Sequence, residues 1–332
     1  MAFSELFITR LHEVYTSHVG RVLSSFKQPK PLSIRINRLV TTADELQTVM
    51  KNNGIELQQI PWYSDAFIAD VSDSRVLTSL PEYDKGMFYI QNLSSMIPAL
   101  VLDPQPDDHI LDLTAAPGSK TTQIASLMEN KGSIIANDIS NNRIYKLKAN
   151  LQRYGVTNTH VKQGAAERFW QHHYEEFDKV LLDAPCSMES IFIEQEPETY
   201  EDWSVKEIKH LGRKQQWMLR SAVSACKPGG VIIYSTCTIA PEENEQVIDW
   251  ILQKDGKKIQ LEEISIPHLD LMNGITSFEG KSYNPEVAKT KRVIPSEHME
   301  AFFIAKLRKL PVIPDKSQHD PGSSLDSGSS PE

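Results

Sequence analysis

Cysteine is scarce in this chain. Its 332 residues include three cysteines, at positions 186, 226 and 237. Three thiols do not form a disulfide framework, and no two of them have the spacing of a zinc-ligand pair. We therefore predict no metal site, and a reducing, cytoplasmic compartment is expected.

Long apolar runs are also lacking. No segment approaches the roughly eighteen consecutive apolar residues that a membrane-spanning helix needs. The segment from Met1 to Phe7 has neither the basic start nor the apolar stretch of a secretory signal. The composition, 40% hydrophobic and 24% charged, is that of a soluble globular protein. We expect no membrane association.

Positive charge is not in excess. The net charge of −9 and the pI near 5.6 count against a simple nucleic-acid coat protein, which would be basic overall. An enzyme acting on nucleic acid remains possible, because a local basic face can contact phosphate. Basic residues gather in three places, and each cluster taken alone is interpreted as a solvated face. They are Arg143, Lys146, Lys148 and Arg153; Lys289, Lys291 and Arg292; and Lys306, Arg308 and Lys309.

The predicted secondary structure divides the chain into a smaller N-terminal α+β domain, residues 1–103, and an α/β domain, residues 104–310. Residues 311–332, rich in Pro, Ser, Gly and Asp, are predicted to be a disordered tail. Strands and helices alternate in the α/β domain, which indicates a parallel doubly wound sheet. In the N-terminal domain, helices are predicted at 1–26, 43–51 and 94–102 and a strand at 32–36. In the α/β domain, strands are predicted at 109–113, 133–136, 159–161, 179–182 and 230–234, and helices at 119–129, 141–154, 203–226 and 241–254.

Two of the three cysteines follow strand-like apolar runs. Cys186 comes after 180–182, and Cys237 comes after 231–234. In an open α/β sheet, ligands bind outside the carboxyl ends of the strands. The two thiols are therefore expected to share one pocket. Cys226 lies in a helical pattern and is interpreted as a small buried hydrophobe.

The first α/β strand ends in a segment of small residues that is neither of two known phosphate-binding patterns. Thr114 and Ser119 stand where a P-loop needs glycine, and Gly118 alone does not make a dinucleotide fingerprint. Asp138, at the end of the second strand, could accept hydrogen bonds from a ribose. This pair predicts a nucleoside cofactor without a pyrophosphate. The alternative is a tight strand–helix turn with a capping Asp.

Several spaced segments resemble the Nop/Sun (RsmB/NOP) family of RNA cytosine-5 methyltransferases. They are Gln91–Met96, Asp112–Thr121, Asp183–Ser187, Ser235–Cys237, Pro241–Glu245 and Phe302–Lys309, and Ile60-Pro61-Trp62 is most similar to the bacterial branch acting on small-subunit ribosomal RNA. The resemblance implies a Rossmann-like class I methyltransferase fold with a smaller N-terminal α+β domain. It also implies S-adenosylmethionine as cofactor and RNA as partner, with rRNA favoured and tRNA possible. It implies no obligate protein partner.

The resemblance also implies roles for individual residues. Cys237 would be the nucleophile that adds to C6 of cytosine, and Cys186 would help remove the C5 proton and release the enzyme. Asp183 would hold the N3/N4 edge of the base. The expected cofactor-binding residues are Thr114, Ala115, Ala116, Pro117, Gly118, Ser119, Lys120, Asp138, Arg143 and Asp183.

The chain departs from the family pattern in three places. Met188-Glu189-Ser190 replaces the usual Gly-x-Gly, and Gln163 or Ala165 replaces an acidic residue on the third strand. The third departure is an acidic segment, expected to border the RNA path and repel phosphate. It comprises Glu189, Glu194, Glu196, Glu198, Glu201 and Asp202.

These departures keep a second function open, a catalytically weak or inactive RNA-binding or ribosome-assembly factor on the same fold. Retention of both strand-end cysteines favours the enzyme. Arg35 and Arg38 of the N-terminal domain are a candidate RNA platform, although Arg35 could instead pair with an acid inside the protein.

Overall fold

The computed structural model describes residues 3–311. Met1, Ala2 and residues 312–332 lie outside the described residues, and nearly all of the predicted tail falls there. The first part of the chain contains α1 (Glu5–Tyr15), α2 (Val19–Ser25), β1 (Ser33–Ile36), α3 (Ala43–Asn52), β2 (Leu57–Ile60), β3 (Tyr63–Ala69), α4 (Ser74–Thr78), α5 (Pro81–Asp84), β4 (Phe88–Ile90) and α6 (Leu93–Leu102).

The N-terminal helix is shorter than predicted. One helix was expected over 1–26, but α1 and α2 are separated by a short 3-10 turn at Thr16–His18. Thr16, at φ 41°, leaves the helical region of backbone conformation and ends α1. The apolar periodicity continues across this turn because both helices bury the same side of the chain.

Strands β2, β3, β1 and β4 form an antiparallel sheet in that order. Helix α3 covers it with Leu46 and Met50, which pack against Ile34 and Phe67 in a separate apolar cluster. Helices α1 and α2 do not join this cluster. Their apolar residues share one core with β8 and β9 of the larger sheet.

The rest of the chain builds the larger sheet and the helices that cover it. Its elements are β5 (His109–Asp112), α7 (Ser119–Leu127), β6 (Ser133–Asp138), α8 (Asn141–Arg153), β7 (Thr159–Gln163), β8 (Phe177–Asp183), α9 (Val205–Ala225), β9 (Cys226–Thr236), α10 (Glu245–Asp255), β10 (Ile259–Glu262), β11 (Leu271–Asn273), β12 (Ser277–Phe278), β13 (Lys281–Ser282), β14 (Lys291–Val293) and β15 (Phe302–Lys309).

The order of the strands in the larger sheet indicates where a ligand would bind. The order is β7-β6-β5-β8-β9-β15, in which β5 to β9 are parallel and β15 is antiparallel to β9. The direction of winding reverses between β5 and β8, and ligands bind at such a switch point. The predicted fold class, a Rossmann-like α/β domain with a smaller N-terminal α+β domain, is confirmed. Cys226 is fully buried, as expected, but it begins β9 and does not lie in the preceding helix.

Arg35 joins the small sheet to the larger part. It is 2% exposed; its Nε donates to Oε1 of Gln91 at 2.9 Å and its Nη2 to Oγ1 of Thr122, on α7, at 2.9 Å. Both predictions for Arg35 were therefore wrong, because it is neither on the surface nor paired with an acid. Arg38 forms an ion pair with Asp65.

Candidate active site

Acidic and thiol side chains meet at the carboxyl edge of the parallel strands. Asp112 ends β5, Asp138 ends β6 and Asp183 ends β8, while Cys237 directly follows β9. Because the strands are parallel, these ends lie at the same edge of the sheet. The sequence-predicted residues are brought together there.

The two cysteines are neighbours. The Sγ atoms of Cys186 and Cys237 are 3.2 Å apart, and both residues are partly exposed. The hydrogen bond to Cys237, together with burial and the nearby Glu243 carboxyl, raises the pKa of Cys186 well above its ordinary value. With its pKa raised, Cys186 keeps its proton at neutral pH and can donate a hydrogen bond to the sulfur of Cys237.

Asp183 is fixed beside the thiols by three hydrogen-bond donors. Nζ of Lys120 lies 2.6 Å from its Oδ2, and the hydroxyl of Ser235 donates to Oδ1 at 2.7 Å. Thr114 donates its hydroxyl to the Asp183 carbonyl at 2.8 Å. Lys120, itself buried, also donates to Ser95 at 2.7 Å. The carboxylate is therefore held in one orientation while it keeps a face toward solvent.

The segment Pro241–Glu245, noted in the sequence only as a landmark, holds the Cys237 loop. Thr236 donates its hydroxyl to Oδ1 of Asn244 at 2.5 Å, and Nδ2 of Asn244 donates to the Thr238 carbonyl at 2.9 Å. These bonds fix the positions of Thr236 and Thr238, the residues on either side of Cys237. Sequence reasoning missed this role because no local pattern shows which turn an Asn side chain will bridge.

Glu189 is the clearest correction to the sequence analysis. Expected in an acidic surface segment, it is 1% exposed and accepts hydrogen bonds from Trp203 Nε1 (2.7 Å), the Thr238 hydroxyl (2.8 Å) and the Ile239 N–H (3.0 Å). It repels no phosphate. Met188 adopts φ 54°, the left-handed conformation that the usual glycine would supply. Of the other acidic residues, Glu198, Glu201 and Asp202 are exposed.

The turn between β5 and α7 favours glycine at Gly118 because of its backbone conformation. This residue has φ 108°, which residues with a side chain rarely adopt, and a Cβ there would also require Cδ1 of Leu147, 2.8 Å away, to shift. Asp138 faces the same turn: its oxygens accept from the N–H of Ala116 at 3.3 Å and of Ser140 at 2.9 Å. Nη1 of Arg143 lies 3.3 Å from Oδ2 of Asp138.

An apolar side chain that sequence reasoning missed stands next to this carboxylate. Ile139 is 62% exposed, and Nε2 of Gln163 donates to its carbonyl at 3.2 Å. Asp138 is only 2% exposed, so its carboxylate is held inside the turn, whereas Ile139 offers an apolar surface to a flat base. A carboxylate and an apolar side chain next to each other at one strand end make a lining that fits a nucleoside. The available signal was an Ile directly after a strand-end Asp, in a position where the strand had already ended.

Basic side chains are distributed differently from the sequence prediction. Arg292 is buried in an ion pair with Glu245, and Lys309 is buried beside Glu175, so neither belongs to a solvated face. A basic face does exist on α9, where the side chains are exposed and form no ion pair with any part of the chain that the structure describes. It consists of Lys206, Lys209, Arg213 and Lys214, followed by the exposed Trp217.

Two family models match this chain. One, described as 16S rRNA methyltransferase RsmB/F, matches residues 99–308. The other, the N-terminal domain of 16S rRNA methyltransferase RsmF, matches residues 3–93. The chain belongs to the RsmB/F methyltransferase family. The predicted family is confirmed, and S-adenosylmethionine is the family's methyl donor.

Curated relatives of this RsmB/F family member are named for different RNAs. It is 43% identical to a tRNA (cytosine(49)-C(5))-methyltransferase of Pyrococcus abyssi, with 84% of this chain and 89% of that protein covered. It is 38% identical to the ribosomal RNA small subunit methyltransferase F of Shewanella amazonensis, with 85% and 58% covered. It is 34% identical to a mouse 28S rRNA (cytosine-C(5))-methyltransferase, with 93% and 39% covered. The chain thus spans little more than half of the bacterial relative.

Solved structures share the whole fold of this family member. A methyltransferase homologue from Pyrococcus horikoshii superposes with a TM-score of 0.80 at 32% identity, covering 93% of this chain and 96% of that one. NSun6 from Pyrococcus horikoshii, solved with SFG, gives a TM-score of 0.78 at 26% identity, with 94% and 99% covered. Among residues 3–311, none of the helices has the length and apolar character required to cross a bilayer.

Proposed function

We propose that this chain transfers a methyl group from S-adenosylmethionine to C5 of a cytosine in RNA. The observation that carries the proposal is the pair of sulfurs 3.2 Å apart, on loops that follow two neighbouring strands, beside the fixed carboxylate of Asp183. A single thiol would serve many chemistries. Two thiols and a carboxylate at one edge suit addition to a pyrimidine ring followed by elimination from it.

Cys237 is the proposed nucleophile. After its thiol proton is lost to solvent, the Cys237 sulfur forms a bond to C6 of the cytosine. The π electron pair of C5–C6 shifts to C4–C5 as the C4–N3 pair moves onto N3, and the enamine that results is nucleophilic at C5. Asp183 holds the N3/N4 edge of the base, where charge changes during this addition. C5 then takes the methyl group, which the bound cofactor supplies in electrophilic form.

Elimination completes the reaction. The Cys186 thiol gives its proton to the departing Cys237 sulfur, and the Cys186 thiolate so formed accepts the C5 proton. The C5–H electron pair re-forms the C5–C6 double bond as the bond from C6 to the Cys237 sulfur breaks. Cys186 is the residue placed for this exchange, because its sulfur is 3.2 Å from the leaving sulfur. The target base has to be turned out of any stack to reach both thiols.

S-adenosylmethionine would lie along the turn from Thr114 to Lys120. Asp138 would accept hydrogen bonds from its ribose hydroxyls, Arg143 would steady Asp138, and Asp183 would border both the cofactor and the base. The hydrogen bond from the Ala116 N–H to Oδ2 of Asp138 supports this assignment, because it places the turn and the carboxylate together at the strand ends.

RNA is the proposed partner, and ribosomal RNA is favoured because both matching family models carry 16S rRNA in their descriptions. Transfer RNA is the second candidate, favoured by the tRNA-named relative of similar length. The basic face on α9 gives the acidic chain a local surface for phosphate. Three free cysteines support the cytoplasm as the proposed compartment. We do not favour the non-catalytic alternative, since both thiols are retained and paired.

The test is a search for the trapped covalent adduct in cells. The variant Cys186→Ala should accumulate a ribonuclease-sensitive, slowly migrating band on a denaturing gel, because addition proceeds and release is blocked. The band should vanish when Cys237→Ser is added, and Cys226→Ala, at a buried thiol away from the site, should give none. Sequencing the attached RNA would distinguish ribosomal from transfer RNA. A folded Cys186→Ala protein with no adduct in cells that contain its RNA would contradict the proposal.

A further inference from the structure

A line of four oxygens connects the loops behind the two thiols. Oε2 of Glu189 lies 2.8 Å from Oγ1 of Thr238, which lies 2.8 Å from Oγ of Ser187. Oγ of Ser187 in turn contacts Oε1 of Glu243. Ser187 directly follows Cys186, and Thr238 directly follows Cys237. The line therefore links the two cysteine loops to each other and to two buried carboxyl groups.

The protons on this line can be counted. Three close oxygen–oxygen contacts need three protons, whereas the two hydroxyls supply only two. If both carboxyls were ionised, each hydroxyl would donate to its own carboxylate. The contact between Ser187 and Thr238 would then have no proton, and two oxygens would face each other at 2.8 Å without a hydrogen bond. One carboxyl must therefore carry the third proton.

The surroundings decide which carboxyl this is. Glu189 accepts from the indole N–H of Trp203, the hydroxyl of Thr238 and the backbone N–H of Ile239, so both of its oxygens are already acceptors. Glu243 receives all its N–H donors on Oε2: Gln215 Nε2 at 2.8 Å and the Ser187 N–H at 3.1 Å, with a longer contact of that N–H to Oε1. A proton on Oε1 of Glu243 conflicts with none of the close contacts.

We propose that Glu243, as a neutral acid, and Glu189, as a carboxylate, are positioning residues that clamp the two cysteine loops through one directed chain of donors. Glu243 donates to Ser187, Ser187 donates to Thr238, and Thr238 donates to Glu189. The clamp serves the reaction by fixing the spacing of the two thiols. In that respect it rests on the proposed function.

The electrostatics agree with this assignment. Burial, ahead of the repulsion by Glu189, raises the pKa of Glu243 from its ordinary value to about 7. Burial also raises the pKa of Glu189, but Arg10 opposes that shift by stabilising the carboxylate. The other charged and titratable groups around Glu243 come from several elements. They are Cys186 after β8, Tyr234 of β9, Glu242 with its α1 partner Arg10, and Glu245 with its β14 partner Arg292.

Glu189 stands at the middle position of Met188-Glu189-Ser190, which is the variable position of the usual Gly-x-Gly, so it replaces neither glycine. In the sequence this residue was counted in an acidic segment expected to repel phosphate. In the fold it is a buried carboxylate that ties the two cysteine loops together.

Glutamine variants test the direction in which the four side chains donate their hydrogen bonds. In Glu243→Gln the side-chain NH₂ can donate to Ser187 as the acid does, while its oxygen accepts from Gln215. We expect Glu243→Ala to lower kcat about ten- to a hundredfold and to change KM little, because the buried amide of Gln215 and the N–H of Ser187 lose their acceptor. We expect Glu243→Gln to restore kcat. In Glu189→Gln the NH₂ must face Trp203 or Ile239, both donors, so a loss of similar size is expected. Asp249→Asn, at a buried carboxyl of α10 whose partners are Asn284 and Gln253, is the matched control and should keep kcat.

The pH dependence separates this role from simple packing. As pH rises through about 7, Glu243 of the wild type loses its proton, so the ratio of Glu243→Gln activity to wild-type activity should increase. The thermal midpoint of the wild type should also fall relative to that of Glu243→Gln over the same range, whether or not RNA is methylated. Equal losses in Glu243→Gln and Glu189→Gln, or a constant ratio across pH, would overturn the clamp. A wild type that methylates no RNA but shows the thermal shift would instead contradict the proposed function.

Discussion

At the scale of single residues, the site depends on ionisable groups that burial holds in unusual states. Asp112 at the end of β5 is 1% exposed and accepts the hydroxyl of Thr121 at 2.7 Å. Burial, ahead of the effect of neighbouring Asp183, raises the pKa of Asp112 to about 7. The charged form of this side chain is therefore costly in the folded protein.

Asp112 gives a pH-dependent stability. Because its pKa is higher in the folded than in the unfolded chain, its contribution is fully present below about pH 4 and is lost as pH rises through about 7. Asp112→Asn removes this titration and should flatten the decline in the free energy of unfolding between pH 5 and pH 8. Urea denaturation across that range checks it. An unchanged slope in the variant would show that Asp112 is ionised throughout.

At the scale of elements, α9 has two different faces. Its inner face supports the site, since Nε2 of Gln215 donates to the Pro185 carbonyl at 2.9 Å and to Glu243 at 2.8 Å. Its outer face carries the basic residues and Trp217, which is 52% exposed. The same helix thus holds a cysteine loop and presents positive charge to solvent.

Charge reversal on the outer face of α9 should weaken RNA binding. The double variant Lys209→Glu/Arg213→Glu should raise the Kd for substrate RNA. The slope of log Kd against log salt concentration should also decrease by about 0.7 for each phosphate that is no longer neutralised. Cofactor affinity should not change, because both side chains are exposed and neither belongs to the turn from Thr114 to Lys120 proposed for the cofactor. Filter binding at several salt concentrations measures the effect. Lys254→Glu/Lys257→Glu, an equal charge change at exposed positions, is the control, and an equal effect of both pairs would exclude a specific α9 surface.

The elements also show how far the sequence was informative. The strands predicted at 109–113 and 179–182 appear as β5 and β8, because apolar runs between polar turns identify buried parallel strands well. The sequence could not reveal that Glu189 would be buried, since its partners Trp203 and Thr238 come from distant positions and only folding brings them together. The catalytic and cofactor roles of the strand-end residues stay predictions.

At the scale of the whole molecule, the first two helices pack on the larger sheet although they come before the small sheet in the sequence. The first helices precede the small sheet in sequence, but Phe7, Leu11 and Val14 are buried in the core of the large one. The predicted boundary at residue 103 therefore separates segments that share a hydrophobic core. The division into domains 1–103 and 104–310 stays a prediction.

A fragment of residues 104–311 should not fold stably. Each large apolar side chain that α1 and α2 bury contributes about 1.5–3 kcal/mol, and the fragment lacks several of them at once, against a total stability of about 5–15 kcal/mol. We expect the fragment to lack a cooperative thermal transition, whereas a protein that keeps residues 3–26 and the small sheet retains one. Calorimetry of the two proteins decides this. A fragment that melts as sharply as the full chain would show that α1 and α2 are dispensable.

The buried side chain of Arg35 fixes the distance between the small sheet and the strand ends of the large one. A buried guanidinium bonded on one side to Gln91 and on the other to Thr122 allows the small sheet little freedom to swing relative to the strand ends. An RNA that contacts both the small sheet and the strand ends of the large sheet would meet two surfaces at a fixed distance from each other. The nucleotide that reaches Cys237 would then be selected by its distance along the strand from the anchored segment, as much as by its own base.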